Sequence, residues 1–191
     1  MNLQVRVKTD LLTEPVTSAE AKLWCKVTGT ADDSIFTLLI PAARKALEKY
    51  TSSSFAEKTI HATWIERPED DIFELPYGPI ISVDKVYLID EEGTEEEITI
   101  TDDYYVYGDQ DATVKLVKYW STGITSASSV RIEYKAGYGH TNTETLPTDL
   151  KIAILKLIAK SYQFRGDEIG AAVLDSEIKK EAAPYRRSLW F

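Results

Sequence analysis

The first fifty residues place apolar side chains at helical spacing. Thr17-Ser18-Ala19-Glu20 is a capping box, in which the Thr17 hydroxyl and the Glu20 carboxylate each accept from the other residue's backbone amide. It predicts a helix that stops at Gly29. A second helix is predicted over residues 32–50, with Pro41 able to kink it. The apolar positions of the two helices are Ala19, Leu23, Trp24, Val27, Ile35, Phe36, Leu39, Ile40, Ala43 and Leu47.

The middle of the chain changes to the alternating pattern of β-strands. Residues 90–94 are typical of a hairpin turn, with Gly93 where a positive φ is wanted. Short strands separated by turns, with no helices between them, favour an antiparallel sheet or a small sandwich. Strands are predicted over residues 59–65, 81–89, 95–101, 103–107, 112–119 and 128–134.

The last part returns to helical spacing. A helix is predicted after Leu146-Pro147, with Thr148 or Asp149 as its N-cap, and a shorter one over residues 174–183 stops at Pro184. The longer helix is apolar around much of its circumference, which indicates central burial. The expected core joins both chain ends through Leu23, Trp24, Ile35, Phe36, Leu39, Leu47, Ile154, Leu157 and Ile158.

These patterns predict an α+β fold: a helical core of about four helices from both chain ends, with an inserted antiparallel β module. The expected division is residues 1–58 for the N-terminal helical part, 59–135 for the β module and 136–191 for the C-terminal helices with a terminal tail. That tail holds two basic and three apolar residues that a partner or the core should cover: Arg186, Arg187, Leu189, Trp190 and Phe191.

The net charge of −9 on 191 residues is concentrated in the middle of the chain. Residues 66–111 hold 16 acidic and 2 basic residues, so this segment is excluded as a clamp on nucleic-acid phosphates. Two interpretations stay open: a solvated, solubilising face, or a surface that repels or steers something. The acidic channel or surface is predicted at Asp90, Glu91, Glu92, Glu95, Glu96, Glu97, Asp102 and Asp103.

Catalytic chemistry has little support in the sequence. His61, His140 and Cys25 stand without a recognisable nucleophile, base or metal partner, and no phosphate-binding glycine motif is present. The carboxylates lack the spacing of an EF-hand. We therefore expect no catalytic residues, no metal and no cofactor. The lack of a run of about 18 apolar residues and of a signal-peptide core predicts a soluble protein that does not enter a membrane.

Five phrases occur in order along the chain: EPVTSAEAK at 14–22, DDSIFTLLIPAARKALEKY at 32–50, LPYGPIISVDKVYLIDEEG at 75–93, VRIEYKAGYG at 130–139 and LPTDLKIAIL at 146–155. Tyr162, Arg165 and the APYR of 183–186 extend the match. Together they resemble phage head–tail connector proteins of the small adaptor type. The acidity of residues 90–110 and the last three residues depart from that pattern.

The resemblance implies a non-enzymatic protein that assembles as a ring beneath the portal and joins the DNA-filled head to the tail. Its implied partners are further copies of itself, the portal protein and the next neck or tail-completion protein. DNA passes through such a ring without specific binding. The implied location is the host bacterial cytoplasm during assembly and then the virion neck. The alternative is a binding module with a β-sandwich head for carbohydrate or protein ligands.

Overall fold

The structure, a computed structural model, describes residues 3–10, 13–66, 68–99, 103–108, 113–116, 129–139, 145–164 and 174–187. Within those ranges it contains two antiparallel sheets and four α-helices, which confirms the predicted α+β class. The elements are β1 (Leu3–Thr9), α1 (Ser18–Trp24), α2 (Asp33–Thr51), β2 (Lys58–Trp64), β3 (Ile72–Glu74), β4 (Ile80–Ile89), β5 (Glu95–Ile98), β6 (Tyr104–Tyr107), β7 (Thr113–Leu116), β8 (Ser129–Ala136), α3 (Thr148–Gln163) and α4 (Ser176–Ala182).

The strands form a sandwich of unequal sheets. The larger sheet has the order β1-β2-β8-β4-β5 and the smaller β3-β7-β6. Burial alternates without interruption along β2 and β8, so one face of the larger sheet is core and the other faces solvent. The buried face meets the smaller sheet, where the rings of Trp64 and Phe73 pack edge to face at 5.1 Å between centroids.

Strand β1 was not predicted, because residues 3–9 were expected to belong with the helices. It pairs antiparallel with β2, with Val5 opposite Ala62 and Val7 opposite Ile60. Ala62 and Ile60 are buried, yet Val5 and Val7 are 37% and 46% exposed on the same face. The three strands of the smaller sheet do not cover all five strands of the larger one.

Helix α1 begins as predicted and ends earlier. Both hydrogen bonds of the Thr17–Glu20 capping box are present. The helix stops at Trp24 because Lys26 adopts a positive φ of 56° and the chain closes a Schellman motif. In that motif the amide of Val27 donates to the Lys22 carbonyl and the amide of Lys26 donates to that of Leu23. The expected stop at Gly29 is therefore wrong.

Helices from both chain ends share one hydrophobic cluster, as the two-ended core predicted. Of the nine predicted core residues, five are buried, namely Phe36, Leu47, Ile154, Leu157 and Ile158. Ile35 and Leu39 are half-buried, and Phe36 stacks on Tyr162 of α3 at 4.9 Å. The prediction fails for Leu23 and Trp24, which are 80% and 45% exposed, because α1 is only seven residues long and turns Ala21 toward the core.

The predicted N-cap of α3 is also wrong. Pro147 occupies that position, and neither Thr148 nor Asp149 caps the helix with its side chain. The Asp149 carboxylate instead accepts a hydrogen bond from the Tyr185 hydroxyl at 3.1 Å. Pro41 lies inside α2, which continues without interruption to Thr51. None of the helices in the described ranges combines the length and hydropathy that a membrane crossing requires.

Candidate assembly surfaces

A buried network of charges joins the helices to the larger sheet. Arg44 of α2 donates to Glu14 at 2.9 and 3.2 Å and to Glu48 one helical turn later at 2.7 Å. Lys58, the first residue of β2, donates to the same Glu48 oxygen at 2.6 Å. The other Glu48 oxygen accepts from the backbone amide of Phe55 at 2.8 Å. This joint therefore ties the loop before α1, helix α2 and the start of the sheet together.

The electrostatics of the joint favour the charged form of Arg44. Burial opposes the charge of Arg44, but its hydrogen bonds to Glu14 and the negative charges of Glu48, Glu14 and Asp10 outweigh burial and raise the pKa of Arg44. Buried charges are tolerated where each is paired and hydrogen-bonded, as here. The joint fixes the orientation of the helices relative to the sandwich, and the surfaces of the two parts are held in one geometry.

Gly137 allows a second close contact at the same joint. Its φ is +131°, and a Cβ at this position would lie 2.1 Å from the backbone oxygen of Ala56. Its amide donates to the Pro79 carbonyl at 2.8 Å. Only glycine fits this approach, because any side chain would collide with backbone that cannot rotate away. The AGYG phrase thus serves packing between β8 and the segment after α2.

A cleft of about 620 Å³ opens beside the joint. One wall is the end of β1 and the loop before α1, and the other is formed by residues 55–59 and 138–139. Charges of both signs border it, including Asp10, Glu57, Lys58 and Lys151. A mixed lining of this kind has no arrangement of nucleophile and base, and no group of three or more metal-ligating side chains occurs in the described ranges.

The predicted acidic residues are distributed over three environments. The Asp90 carboxylate accepts from the amides of Glu92 and Thr94 at 3.0 and 2.8 Å, which lowers the pKa of Asp90 and closes the turn. Glu91 and Glu92 are exposed at its tip. Asp103 is 1% exposed and accepts from the Thr99 amide at 2.8 Å, so its assignment to the surface is wrong. Asp102 lies outside the described residues.

The carboxylates of β5 are partly neutralised by neighbouring strands. Glu97 accepts from Lys85 at 2.9 Å, and Glu95 forms a bidentate pair with Arg131. Both glutamates lie on the solvent face of the larger sheet, since their Cα partners Tyr87 and Ile89 alternate with buried residues of β4. Glu96 lies on the opposite face, across from the buried Leu88. The acidic residues of β5 therefore lie along an edge of the sheet, and two of them form ion pairs.

The same solvent face carries one of the two histidines. His61 Nε2 lies 2.7 Å from Glu133, which also accepts from Lys8 at 2.9 Å. Burial alone would raise the pKa of Glu133, but the hydrogen bonds from Lys8 and His61 outweigh it and lower that pKa. His61 is a half-buried strand residue. Cys25 is half-buried, and burial raises the pKa of its thiol; His140 lies outside the described residues.

The start of the C-terminal tail is attached to the helical core. The Arg187 amide donates to the Thr51 carbonyl at 2.9 Å, and the Arg186 guanidinium lies 5.7 Å from the centre of the Tyr50 ring. Burial lowers the pKa of Arg187. These two arginines therefore hold the start of the tail against the C-terminal end of α2. Leu189, Trp190 and Phe191 lie outside the described residues.

Several exposed apolar side chains were not predicted as surface. Leu23, Trp24, Leu38 and Phe164 are exposed on the helical side, and Tyr105 and Tyr107 are exposed on β6 with ring centroids 6.3 Å apart. Helical spacing alone assigns Leu23 and Trp24 to the core.

Comparison with known proteins gives a consistent result. The sequence profile of the family described as "Phage gp6-like head-tail connector protein" matches residues 17–113. A comparison with curated protein sequences finds no match. A chain in the neck of an empty gene transfer agent (GTA) particle, computed with C6 symmetry, superposes with a TM-score of 0.76 at 22% identity. That match covers 98% of this chain and 97% of the other.

Two further solved structures share the fold. A chain in the virion of a native GTA particle has a TM-score of 0.72 at 22% identity, and one in the neck of the native GTA particle computed with C12 symmetry has a TM-score of 0.68 at 20% identity. Both matches cover 98% of this chain and 97% of the other. The family match spans more than half of the sequence. This chain therefore belongs to the family of phage gp6-like head-tail connector proteins.

Proposed function

We propose that this chain is a structural subunit of a virion neck, which forms a ring under the portal and joins the DNA-filled head to the tail. The observation that carries the proposal is the family match over residues 17–113, and the likeness of the whole fold to chains of a particle neck supports it. The role is one of assembly, with no catalytic step. The alternative of a carbohydrate-binding module has no support from the family match or from the similar structures.

The proposed partners follow from that position. Copies of this chain contact one another around the ring, the portal protein contacts one side, and the next neck or tail-completion protein contacts the other. A subunit of such a ring needs two different surfaces on opposite sides, joined rigidly. The buried joint of Arg44, Glu48 and Lys58 supplies this rigidity between helices and sandwich.

The tail is the proposed contact with a neighbouring neck component. Arg186 and Arg187 hold its first residues against α2, and the sequence that follows ends in Leu189, Trp190 and Phe191. Large apolar and aromatic side chains supply most of the binding free energy in protein interfaces. A tail fixed at its base and apolar at its end suits docking into a pocket of a partner.

Passage of DNA requires a ring that does not grip phosphate. The segment 66–111 supplies carboxylates in place of a continuous basic surface, and tight binding to duplex DNA needs several Lys or Arg contacts. We expect no retention of duplex DNA by the purified chain at physiological salt. The acidic edge then either faces the channel or contacts another subunit.

Assembly on the portal tests the proposal. Purified chain mixed with the portal protein of the same phage should form a ring visible by negative-stain electron microscopy, and virions lacking the chain should accumulate as DNA-filled heads without tails. A variant that lacks residues 188–191 should keep its thermal midpoint and lose attachment. Lys45→Ala is the control, since it changes an exposed side chain of α2 and leaves the tail intact. Free tails joining heads without this chain would exclude the function.

A further inference from the structure

The two edges of the larger sheet carry opposite charge. Strand β1 has two basic side chains, Arg6 and Lys8, and no acidic one, and Lys8 pairs with Glu133 of β8. Strand β5 and the turn before it hold six carboxylates between residues 90 and 97. Lys85 pairs with Glu97, and Arg131 pairs with Glu95. One edge is therefore basic and the other acidic, and three strands separate them.

Both edges are open within the described residues. The sheet order begins with β1 and ends with β5, and no other described strand pairs with the outer side of either. An edge strand presents unpaired backbone N–H and C=O groups, which makes it a template for another strand. Strand β1 offers seven residues and β5 four. Both belong to the same sheet, so their relative position within a subunit is fixed.

The basic edge also carries exposed apolar side chains. Val5 and Val7 face the side of the sheet that is core elsewhere, and both are more than one-third exposed. Exposed valines on an edge strand favour pairing with another chain unless something covers them. A second sandwich placed beside β1 would cover both side chains and supply the missing half of the core at this edge.

The side-chain phases of the two strands are compatible. Arg6 lies on the solvent face, opposite His61, and Glu97 lies on the solvent face, opposite Tyr87. Successive side chains point to alternate faces, so a register that places Arg6 beside Glu97 places Val5 and Val7 on the side of Ile98. In that register Arg6 meets Glu97 on the solvent face, and on the other face one valine lies beside Ile98 and the other beside Glu96.

We infer that the basic β1 edge of one copy docks on the acidic β5 edge of the next, which continues the larger sheet from subunit to subunit. The inference rests on the proposed ring function and identifies its subunit interface. The contact joins two different surfaces, so it is heterologous, and repeated copies close into a ring where the rotation allows it. Most of the acidic edge then faces a neighbouring subunit, and only the turn at Glu91 and Glu92 reaches beyond it.

A charge exchange tests this contact in the full chain. Arg6→Glu places a carboxylate against the acidic edge, and Glu97→Lys places an ammonium group against the basic one. Each variant should weaken assembly by about tenfold or more, because like charges face each other across the interface. The double variant Arg6→Glu with Glu97→Lys restores opposite charges and should recover most of the assembly. Lys45→Glu on α2 and Glu69→Lys before β3 are controls that reverse exposed charges away from both edges.

Ring formation is measured by sedimentation velocity and negative-stain microscopy, with the chain alone and with the portal protein. Circular dichroism confirms that each variant is folded. Single variants that assemble like the unmodified chain would overturn the inference, as would a folded double variant that stays as defective as the singles. If the unmodified chain forms no ring, either alone or with the portal protein, the result would instead contradict the proposed function itself. Loss in the singles with recovery in the double supports direct contact between the two edges.

Discussion

Charged residues occupy two regions of this protein, and the same residue types serve different purposes in each. At the joint, Arg44, Glu48 and Lys58 are almost fully buried, and Glu48 also accepts a hydrogen bond from the backbone amide of Phe55. At the β5 edge, Lys85 and Glu97 pair at a similar distance but are about half exposed. The joint therefore contributes to the folded state, whereas the edge leaves its charges available to a partner. The ion pairs of the two regions have similar lengths, and they differ in how far their side chains are buried.

The largest effect is expected at the joint. Glu48→Ala leaves Arg44 and Lys58 as buried cations that have lost a shared carboxylate, and should cost about 3–5 kcal/mol of unfolding free energy. Urea denaturation followed by tryptophan fluorescence measures this. The control is Glu177→Ala on α4, an exposed glutamate. A loss below about 1 kcal/mol at Glu48, in the range of exposed pairs, would remove the distinction between the two regions.

The contrast extends to apolar residues in the helices. Ile154→Ala empties a fully buried position and should cost about 2–5 kcal/mol, whereas Leu23→Ala on the exposed side of α1 should change stability by less than about 0.5 kcal/mol. Thermal unfolding of both variants in one buffer provides the comparison. An equal loss at the two positions would mean that Leu23 is covered in the protein in solution.

An ion pair of intermediate exposure predicts a pH effect. The hydrogen bond from Lys151 and the capping bond from the Thr17 amide lower the pKa of Glu20 from 4.5 to about 2. The carboxylate therefore stabilises the fold fully above pH 4.5, and this contribution is lost as the pH falls toward 2. The Glu20→Gln variant lacks that contribution. Its loss of unfolding free energy relative to the unmodified chain should therefore be constant near neutral pH and shrink below pH 4.5. A deficit that grows on acidification would contradict the assignment.

The smallest effect is expected at the acidic edge. A double-mutant cycle on Lys85 and Glu97 should give a coupling of about 0.2–1 kcal/mol, because both side chains are solvated. High salt should reduce that coupling, since exposed charges are screened. A coupling as large as that of the buried joint would show that this edge stabilises the subunit itself and would weaken its proposed role as an interface.

Local patterns in the sequence were sufficient for much of the fold. The Thr17–Glu20 capping box specifies the start of α1 through its own side chains, and strict alternation specifies the buried faces of β2 and β8. The family could also be recognised from the sequence, because the five segments that resemble it occur in order along the chain. By contrast, β1 has only a short alternating pattern, and its place in the sheet depends on pairing with a distant segment, from Thr9 with Thr59 to Leu3 with Trp64.

The sequence by itself determined the class of fold, the apolar faces of the long helices and the concentration of carboxylates in one segment. Tertiary structure alone decided that Leu23 and Trp24 are exposed, that Asp103 is buried and that Arg44 and Glu48 lie inside. The physical reason is that burial depends on which surfaces meet. A carboxylate at a turn and one at a joint between layers have the same local sequence chemistry, and only the packing of distant segments removes one of them from water.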